Sequence, residues 1–262
     1  MGKDLFGRDK VVEAIERLKM FEPPEGYYLA FSGGKDSQCI YHLAEMAEVK
    51  FDAHYNITGI DPPELVKFIR EKYPKVQRHH PTIHIGKLIE KKMMPPTRVV
   101  RFCCDFLKER GGENRRIVTG VRWAESVKRS KRKIVEYCFK DQSKQYINPI
   151  IDWSDNDVWD FLEKNNIEVC NLYKEGFKRL GCVGCPIAGK KRIAEFERWP
   201  KIKDRWLRAF DRAVKSRREK IKAGADHLKF SGMFECWQSA EDMWEWWMED
   251  KYYNPDQTVM FE

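Results

Sequence analysis

Apolar and polar positions change their period several times along the chain, and each change marks an element. Between Lys10 and Lys19, Val11, Val12, Ile15 and Leu18 recur at helical spacing, and Pro23-Pro24 ends that pattern. The apolar run Tyr28-Leu29-Ala30-Phe31 then reads as a buried strand, followed by a helix from about Gln38 to Ala47. Phe51 to Ile57 reads as a second strand. Asp61-Pro62-Pro63-Glu64 opens a helix that runs through Tyr73, with proline placed where a missing N–H costs nothing. Val76 to Ile85 contains a third strand and Ile117 to Thr119 a fourth. Ser154-Asp155-Asn156-Asp157 before Val158-Trp159-Asp160-Phe161-Leu162 is a capping-box-like helix start, with Asp in place of the usual Glu. Strands alternating with helices over residues 27–165 predict an α/β fold. Its parallel sheet would have five or six strands, helices on both faces, and ligands beyond the carboxyl ends of the strands. From about Lys190 the chain turns helical, basic and tryptophan-rich, with a further helix expected over Ala240 to Asp250. The expected organisation is a nucleotide-binding domain over residues 1–188 and a mainly helical extension over 189–262.

The turn between the first strand and its helix, Ser32-Gly33-Gly34-Lys35-Asp36-Ser37, carries the most chemistry. Adjacent glycines let the backbone approach a ligand and take positive φ without a Cβ clash. The amides of the turn and of the first helical turn point at one spot, where the helix dipole favours an anion. Ser32, Lys35 and Ser37 add two hydroxyls and an ammonium. The word resembles the PP-loop of the ATP pyrophosphatases, which cleave ATP between its α and β phosphates to adenylate a substrate. It is not a Walker A loop, which needs four residues between its first Gly and the Gly-Lys pair.

Composition narrows the setting. No apolar run approaches the ~20 residues that a membrane span needs, and the first twenty residues lack a signal-peptide core, so a cytoplasmic protein without membrane contact is the expectation. The net charge of +8 suggests anionic partners. Basic residues concentrate between Arg110 and Lys133, against only Glu113 and Glu125, and again from Lys190 to Lys222. Of the eight cysteines, Cys103-Cys104 and Cys182-Val183-Gly184-Cys185 stand apart. In a reducing compartment they argue for metal chemistry rather than disulfides. Vicinal ligands crowd a single tetrahedral Zn²⁺ and suit a larger cluster, which favours [4Fe–4S] over zinc. Cys39, Cys138 and Cys170 read as ordinary buried residues. His79, His80 and His84 read as loop or substrate-facing residues, and Arg70, Lys72 and Lys75 as a solvated face.

From about Tyr27 to Ala188 the chain resembles the phosphoadenosine phosphosulfate (PAPS) reductase family, a branch of the PP-loop proteins. The likeness rests on the PP-loop, Asn56-Ile57-Thr58-Gly59-Ile60-Asp61, Thr119-Gly120-Val121-Arg122-Trp123-Ala124-Glu125-Ser126, Asn148-Pro149 through Trp153, Asp157-Val158-Trp159, and Asn171-Leu172-Tyr173 followed by Gly176 to Cys182. The cysteine set is similar to the [4Fe–4S] ligands of the adenylyl-sulfate (APS) reductases, which implies Cys103, Cys104, Cys182 and Cys185 as ligands. The resemblance also implies that Gly120, Arg122 and Arg129 serve the anionic end of the nucleotide. Thr58 and Asp61, at the end of the neighbouring strand, would read the adenosine.

Two departures separate the chain from a sulfonucleotide reductase. Its phosphate loop is intact, which favours ATP with Mg²⁺, with Lys35 and Asp36 catalytic. Near the C-terminus, Glu235-Cys236-Trp237-Gln238-Ser239 matches only the first two residues of the reductases' Glu-Cys-Gly-Leu-His tail. The leading expectation is therefore ATP-dependent adenylation followed by cluster-assisted sulfur transfer, with nucleic acid among the acceptors and a sulfur-donor protein as partner. The alternative is APS or PAPS reduction with Cys236 as nucleophile and a thioredoxin-like reductant. A third reading is a non-catalytic module that senses nucleotide or redox state and binds nucleic acid. A homodimer is among the partners considered, with the oligomeric state left open.

Overall fold

The computed structural model describes residues 9–139, 141–225 and 237–250. They form two compact units, the first built from residues up to 56, 63–79 and 111–180, the second from 57–62, 80–110 and 181 onward.

The first unit opens with α1 (Lys10–Met20), whose N-cap Asp9 accepts from the Val11 amide. It continues through β1 (Tyr27–Ala30), α2 (Lys35–Met46), β2 (Phe51–Asn56), α3 (Pro63–Lys72) and β3 (Gln77–His79). The chain returns to it with β4 (Arg116–Val118), β5 (Val135–Tyr137), β6 (Gln145–Ile147) and α6 (Asp155–Lys164). The six strands lie in the order β3-β2-β1-β4-β6-β5. All neighbours are parallel except the edge pair β5–β6. The parallel sheet expected from the alternating pattern is present. Central Leu29, paired with Ala53 on one side and Val118 on the other, is fully buried. The sequence reading missed β5 and β6, which between them bury only one side chain, Ile147. The chain leaves β1 toward β2 on one side, while β4 lies on the other, so β1 and β4 flank a topological switch point.

Polar ties fix α1 and α6 to this sheet. Arg17 clasps both oxygens of Asp152 at 2.7 and 3.0 Å and reaches the Pro149 carbonyl at 2.8 Å. Buried Tyr27 donates its hydroxyl to the Leu18 carbonyl at 2.7 Å. The start of α6 is a full capping box: Ser154 accepts from the Asp157 amide, and Asp157 accepts from the Ser154 amide at 2.7 Å. Asp157 also meets Lys10 at 2.6 Å. His79 departs from the expected loop placement, since it closes β3 with its Nε2 2.8 Å from His54 Nδ1. Cys39 and Cys170 are buried as expected, whereas Cys138 is only half-buried.

The second unit comprises α4 (Ile85–Lys92), α5 (Phe102–Leu107), α7 (Arg192–Arg198), α8 (Pro200–Lys222) and α9 (Ala240–Met248). An aromatic core holds it: Trp206 and Trp247 lie 4.7 Å apart, with Phe196, Phe210 and Trp244 against them. Fully buried Arg192 stacks on Trp247, pairs with Asp250 at 2.6 Å and donates to the Trp247 carbonyl. Among the described residues no helix is long and apolar enough to cross a membrane.

The cap of α6 supplies a test. Ser154→Ala should lower stability by about 1 kcal/mol in urea denaturation, the usual worth of an N-cap. Burial opposes ionisation of Asp157, but the bonds from Lys10 and Ser154 outweigh it and hold its pKa below the ordinary range. Its contribution is therefore complete above about pH 4 and fades as the medium turns more acidic. Asp157→Asn should give a flatter stability profile below that pH.

Candidate functional site

The loop after β1 folds as its glycines dictate. Gly33 has φ of +72°, and a Cβ there would sit 2.7 Å from the Ile69 side chain and 2.9 Å from Leu65. Gly34 caps α2 without a side-chain bond, and helical pairing begins with the Gln38 amide donating to the Gly34 carbonyl at 3.0 Å. The earlier amides of the first turn thus have no partner within the helix itself. Ser37 Oγ donates to the Gly34 carbonyl at 2.8 Å and accepts from the Ser32 amide at 3.2 Å, closing the loop on itself. Tyr173 Oη accepts from the Lys35 amide at 2.8 Å. Burial pushes the Tyr173 phenol up, so it stays neutral.

A four-member charge network lies at the switch point. Lys35 Nζ stands 2.9 Å from Asp155 and 3.2 Å from Asp36. Arg122, 1% exposed, meets Asp36 through Nε at 2.7 Å, Asp155 through Nη2 at 2.8 Å and the Trp153 carbonyl through Nη1 at 3.1 Å. Burial works against the Arg122 charge, but Asp36 and Asp155 more than compensate and its pKa rises. The hydrogen bond from Lys35, and then the one from Arg122, hold Asp155 below the usual carboxylate range. Gly120 lets the loop after β4 come this close, since a Cβ there would lie 2.9 Å from the Asp36 carbonyl oxygen.

Of the residues expected from sequence, Ser32, Gly33, Gly34, Lys35, Asp36, Ser37, Gly120 and Arg122 therefore come together in one place. Asp155 and Tyr173 join them and had not been singled out. Asp155 was legible only as a helix start, and Tyr173 only as part of a motif. Arg129 does not join this network by direct pairing; it is tied to Glu125. A cavity of about 410 Å³ opens at the C-terminal end of α2, lined by His42, Tyr73 and Glu168 among others, well away from the glycine turn at the other end of that helix.

Thr58 and Asp61 lie in the second unit. The Asp61 carboxylate accepts from the Thr58 amide at 2.8 Å, and the Cys182 thiol lies 3.5 Å from Thr58 Oγ1. Their surroundings are the cysteine cluster. The Cys182–Cys185 turn is braced on several sides. Val183 donates to the Ile60 carbonyl at 2.8 Å, Trp206 Nε1 donates to the Val183 carbonyl at 3.3 Å, and Glu195 accepts from the Gly184 amide at 2.7 Å. Gly184 has φ of +77°, and a Cβ there would overlap the Phe196 ring at 2.3 Å. Cys103 and Cys104 sit on α5. The bond that Cys103 gives lowers Cys104 to about 6 against burial, with help from Lys108 and Arg101, while Cys103 itself is pushed up. Burial raises Cys182 to about 11, with the Lys108 ammonium opposing it. The charges of Cys182 and Cys185 also reach Cys103, so the four thiols form one electrostatic group. Among the described residues, no three His, Cys, Asp or Glu side chains are arranged to hold a single metal ion. Cys236 lies outside the described residues.

Both glycine turns can be tested. Gly33→Ala and Gly184→Ala each force a residue into left-handed backbone against a side chain, which should cost about 1–3 kcal/mol. Gly184→Ala should be the worse, because a packed aromatic ring yields less than an aliphatic tip. Urea denaturation of both variants checks the order.

The chain is similar to several known proteins. An uncharacterized protein of Methanocaldococcus jannaschii is 30% identical over 190 residues, 68% of this chain and 46% of that protein. A probable FAD synthase of Schizosaccharomyces pombe is 28% identical over 61% of this chain and 60% of its own length. The chain thus spans about half to three-fifths of these curated relatives. The crystal structure of a PAPS reductase from Candida auris superposes with a TM-score of 0.51 at 17% identity, covering 65% of this chain and 88% of that one, a likeness of fold. The family model described as the phosphoadenosine phosphosulfate reductase domain matches residues 26–188, more than half of the chain. The chain belongs to the phosphoadenosine phosphosulfate reductase family.

Proposed function

We propose that the chain binds MgATP at the loop after β1 and adenylates an acceptor as the first step of sulfur introduction. The observation that carries this reading is Lys35. Its ammonium stands between two carboxylates at the mouth of an intact glycine turn, with Ser32 and Ser37 beside it. A sulfonucleotide has no β,γ-pyrophosphate for such a lysine to meet; ATP does. An oxygen of the acceptor attacks the α-phosphorus, the bond from that phosphorus to the bridging oxygen breaks, and pyrophosphate departs. Lys35 and the first-turn amides of α2 take up the growing charge on the leaving group. Asp36 and Asp155 fit Mg²⁺, which is commonly held by one or two carboxylates together with substrate phosphates. The relative named as an FAD synthase, whose product contains an adenylyl group, supports adenylation over reduction. A sulfur-donor protein would then displace AMP from the activated acceptor.

The thiols of Cys103, Cys104, Cys182 and Cys185 fit a [4Fe–4S] cluster by their chemistry. They are four soft donors in mutual electrostatic reach, with the Lys108 ammonium among them to offset thiolate charge. When bound, such a cluster would supply a redox-active iron centre able to hold sulfur.

Calorimetry in Mg²⁺ buffer should show ATP binding that Lys35→Ala weakens about ten- to hundred-fold, the worth of a charged hydrogen bond. No binding by the native chain would end the proposal. Anaerobic preparations should be brown with an absorption shoulder near ~400 nm, lost when Cys182 and Cys185 become Ser; a colourless zinc protein would remove the cluster. The family name favours sulfonucleotide reduction as the second reading, and covalent ³⁵S labelling from APS that vanishes in Cys236→Ala would establish it instead.

A further inference from the structure

The segment that follows Arg122 presents a surface which the nucleotide site does not use. It folds through two short 3₁₀ turns into β5, the edge strand of the sheet. Its two arginines are committed internally, Arg129 to Glu125 and Arg132 to Glu136. Fully buried Asn148 anchors it further, donating to the Lys133 carbonyl at 2.8 Å and to Glu136 at 2.9 Å. Trp123 Nε1 donates to the Arg132 carbonyl at 2.8 Å while 42% of the residue stays exposed. The loop is thus held in one shape. From that shape Lys128, Lys131 and Lys133 project into solvent, while Glu125 and Glu136 are neutralised by the arginines. Tyr137 and Phe139 are 68% and 93% exposed on the same segment.

Among the described residues none of these lysines is paired with a carboxylate, and exposed rings among such cations match one kind of ligand well. A polyanion satisfies the lysines, and flat apolar faces along that polyanion satisfy the rings. We infer that residues 123–139 form a platform for single-stranded nucleic acid, phosphates on Lys128, Lys131 and Lys133 and bases stacked on Tyr137, Phe139 and the free face of Trp123. Duplex is disfavoured because its bases are already stacked on one another and hidden from protruding rings. The platform belongs to the same unit as the phosphate loop, and its first residue directly follows Arg122, which holds Asp36 at 2.7 Å. The inference rests on the adenylation reading and supplies its acceptor: a nucleotide within an unpaired strand.

Fluorescence anisotropy of the full chain with labelled single-stranded RNA, single-stranded DNA and the matching duplex, over a salt series, tests this. Single strands should bind more tightly than duplex, with log affinity falling against log salt at a slope of roughly −2, as three phosphate contacts require. The RNA and DNA arms show which backbone is preferred. Lys128→Ala/Lys131→Ala/Lys133→Ala should flatten that slope and weaken binding at least ten-fold. Tyr137→Ala/Phe139→Ala should weaken it at least about thirty-fold with the slope unchanged, the worth of two lost stacked bases. ATP binding should survive in both variants. No binding to single strands, duplex bound equally well, or variants that bind as the native chain does would each overturn the platform. Oligonucleotide binding without ATP binding would leave the platform standing and end the adenylation reading; ATP binding without oligonucleotide binding would do the reverse.

Discussion

The buried guanidinium of Arg122 is the interaction on which the corner around the loop after β1 depends. It joins three pieces of chain that meet nowhere else in sequence: the loop after β4, the first turn of α2 through Asp36, and the first turn of α6 through Asp155. Burying a cation so completely is tolerable only with both carboxylates in place, since an unpaired buried charge destabilises by several kcal/mol. Lys35 then adds a second cation to the same two carboxylates, which places its ammonium at the mouth of the loop instead of in open solvent. Fold and chemistry therefore share one set of contacts. The sheet reverses its strand order between β1 and β4, the kind of place beside which open α/β sheets bind ligands, and the Arg122 network lies there.

The second unit follows a different logic. Its thiol turn is shaped by packing: Gly184 against Phe196, Trp206 against the Val183 carbonyl, Glu195 under the Gly184 amide. Most of these braces come from α7 and α8, beyond the residues that the family domain covers. The tryptophan-rich end of the chain thus supplies the scaffold for Cys182 and Cys185.

How much of this could be read from sequence depended on the length of the signal. The glycine turn and the helix after it were legible because local rules determine them: positive φ at Gly33, orphan amides, a dipole. The capping box at Ser154 was legible for the same reason. Strands β5 and β6 were not; Ile147 is the one buried side chain between them. The contribution of Asp155 was hidden because a carboxylate at a helix start normally needs no partner beyond the dipole. Only the fold brings Arg122 and Lys35 to it. Thr58 was read as a nucleotide contact from its position after β2, but its hydroxyl lies beside the Cys182 sulfur. Strand order gave no means of seeing that.

Tyr173 bears on what the loop after β1 can accept. The phenolic oxygen of Tyr173 sits on the Lys35 amide like a stopper in a bottle. An incoming molecule gains at that amide only the difference between its own acceptor and the one it evicts. A neutral oxygen merely exchanges like for like, while a charged one forms the stronger bond and wins. For the ATP binding proposed above, the tyrosine would make the loop an admission gate that sorts visitors by charge, before any question of their shape arises.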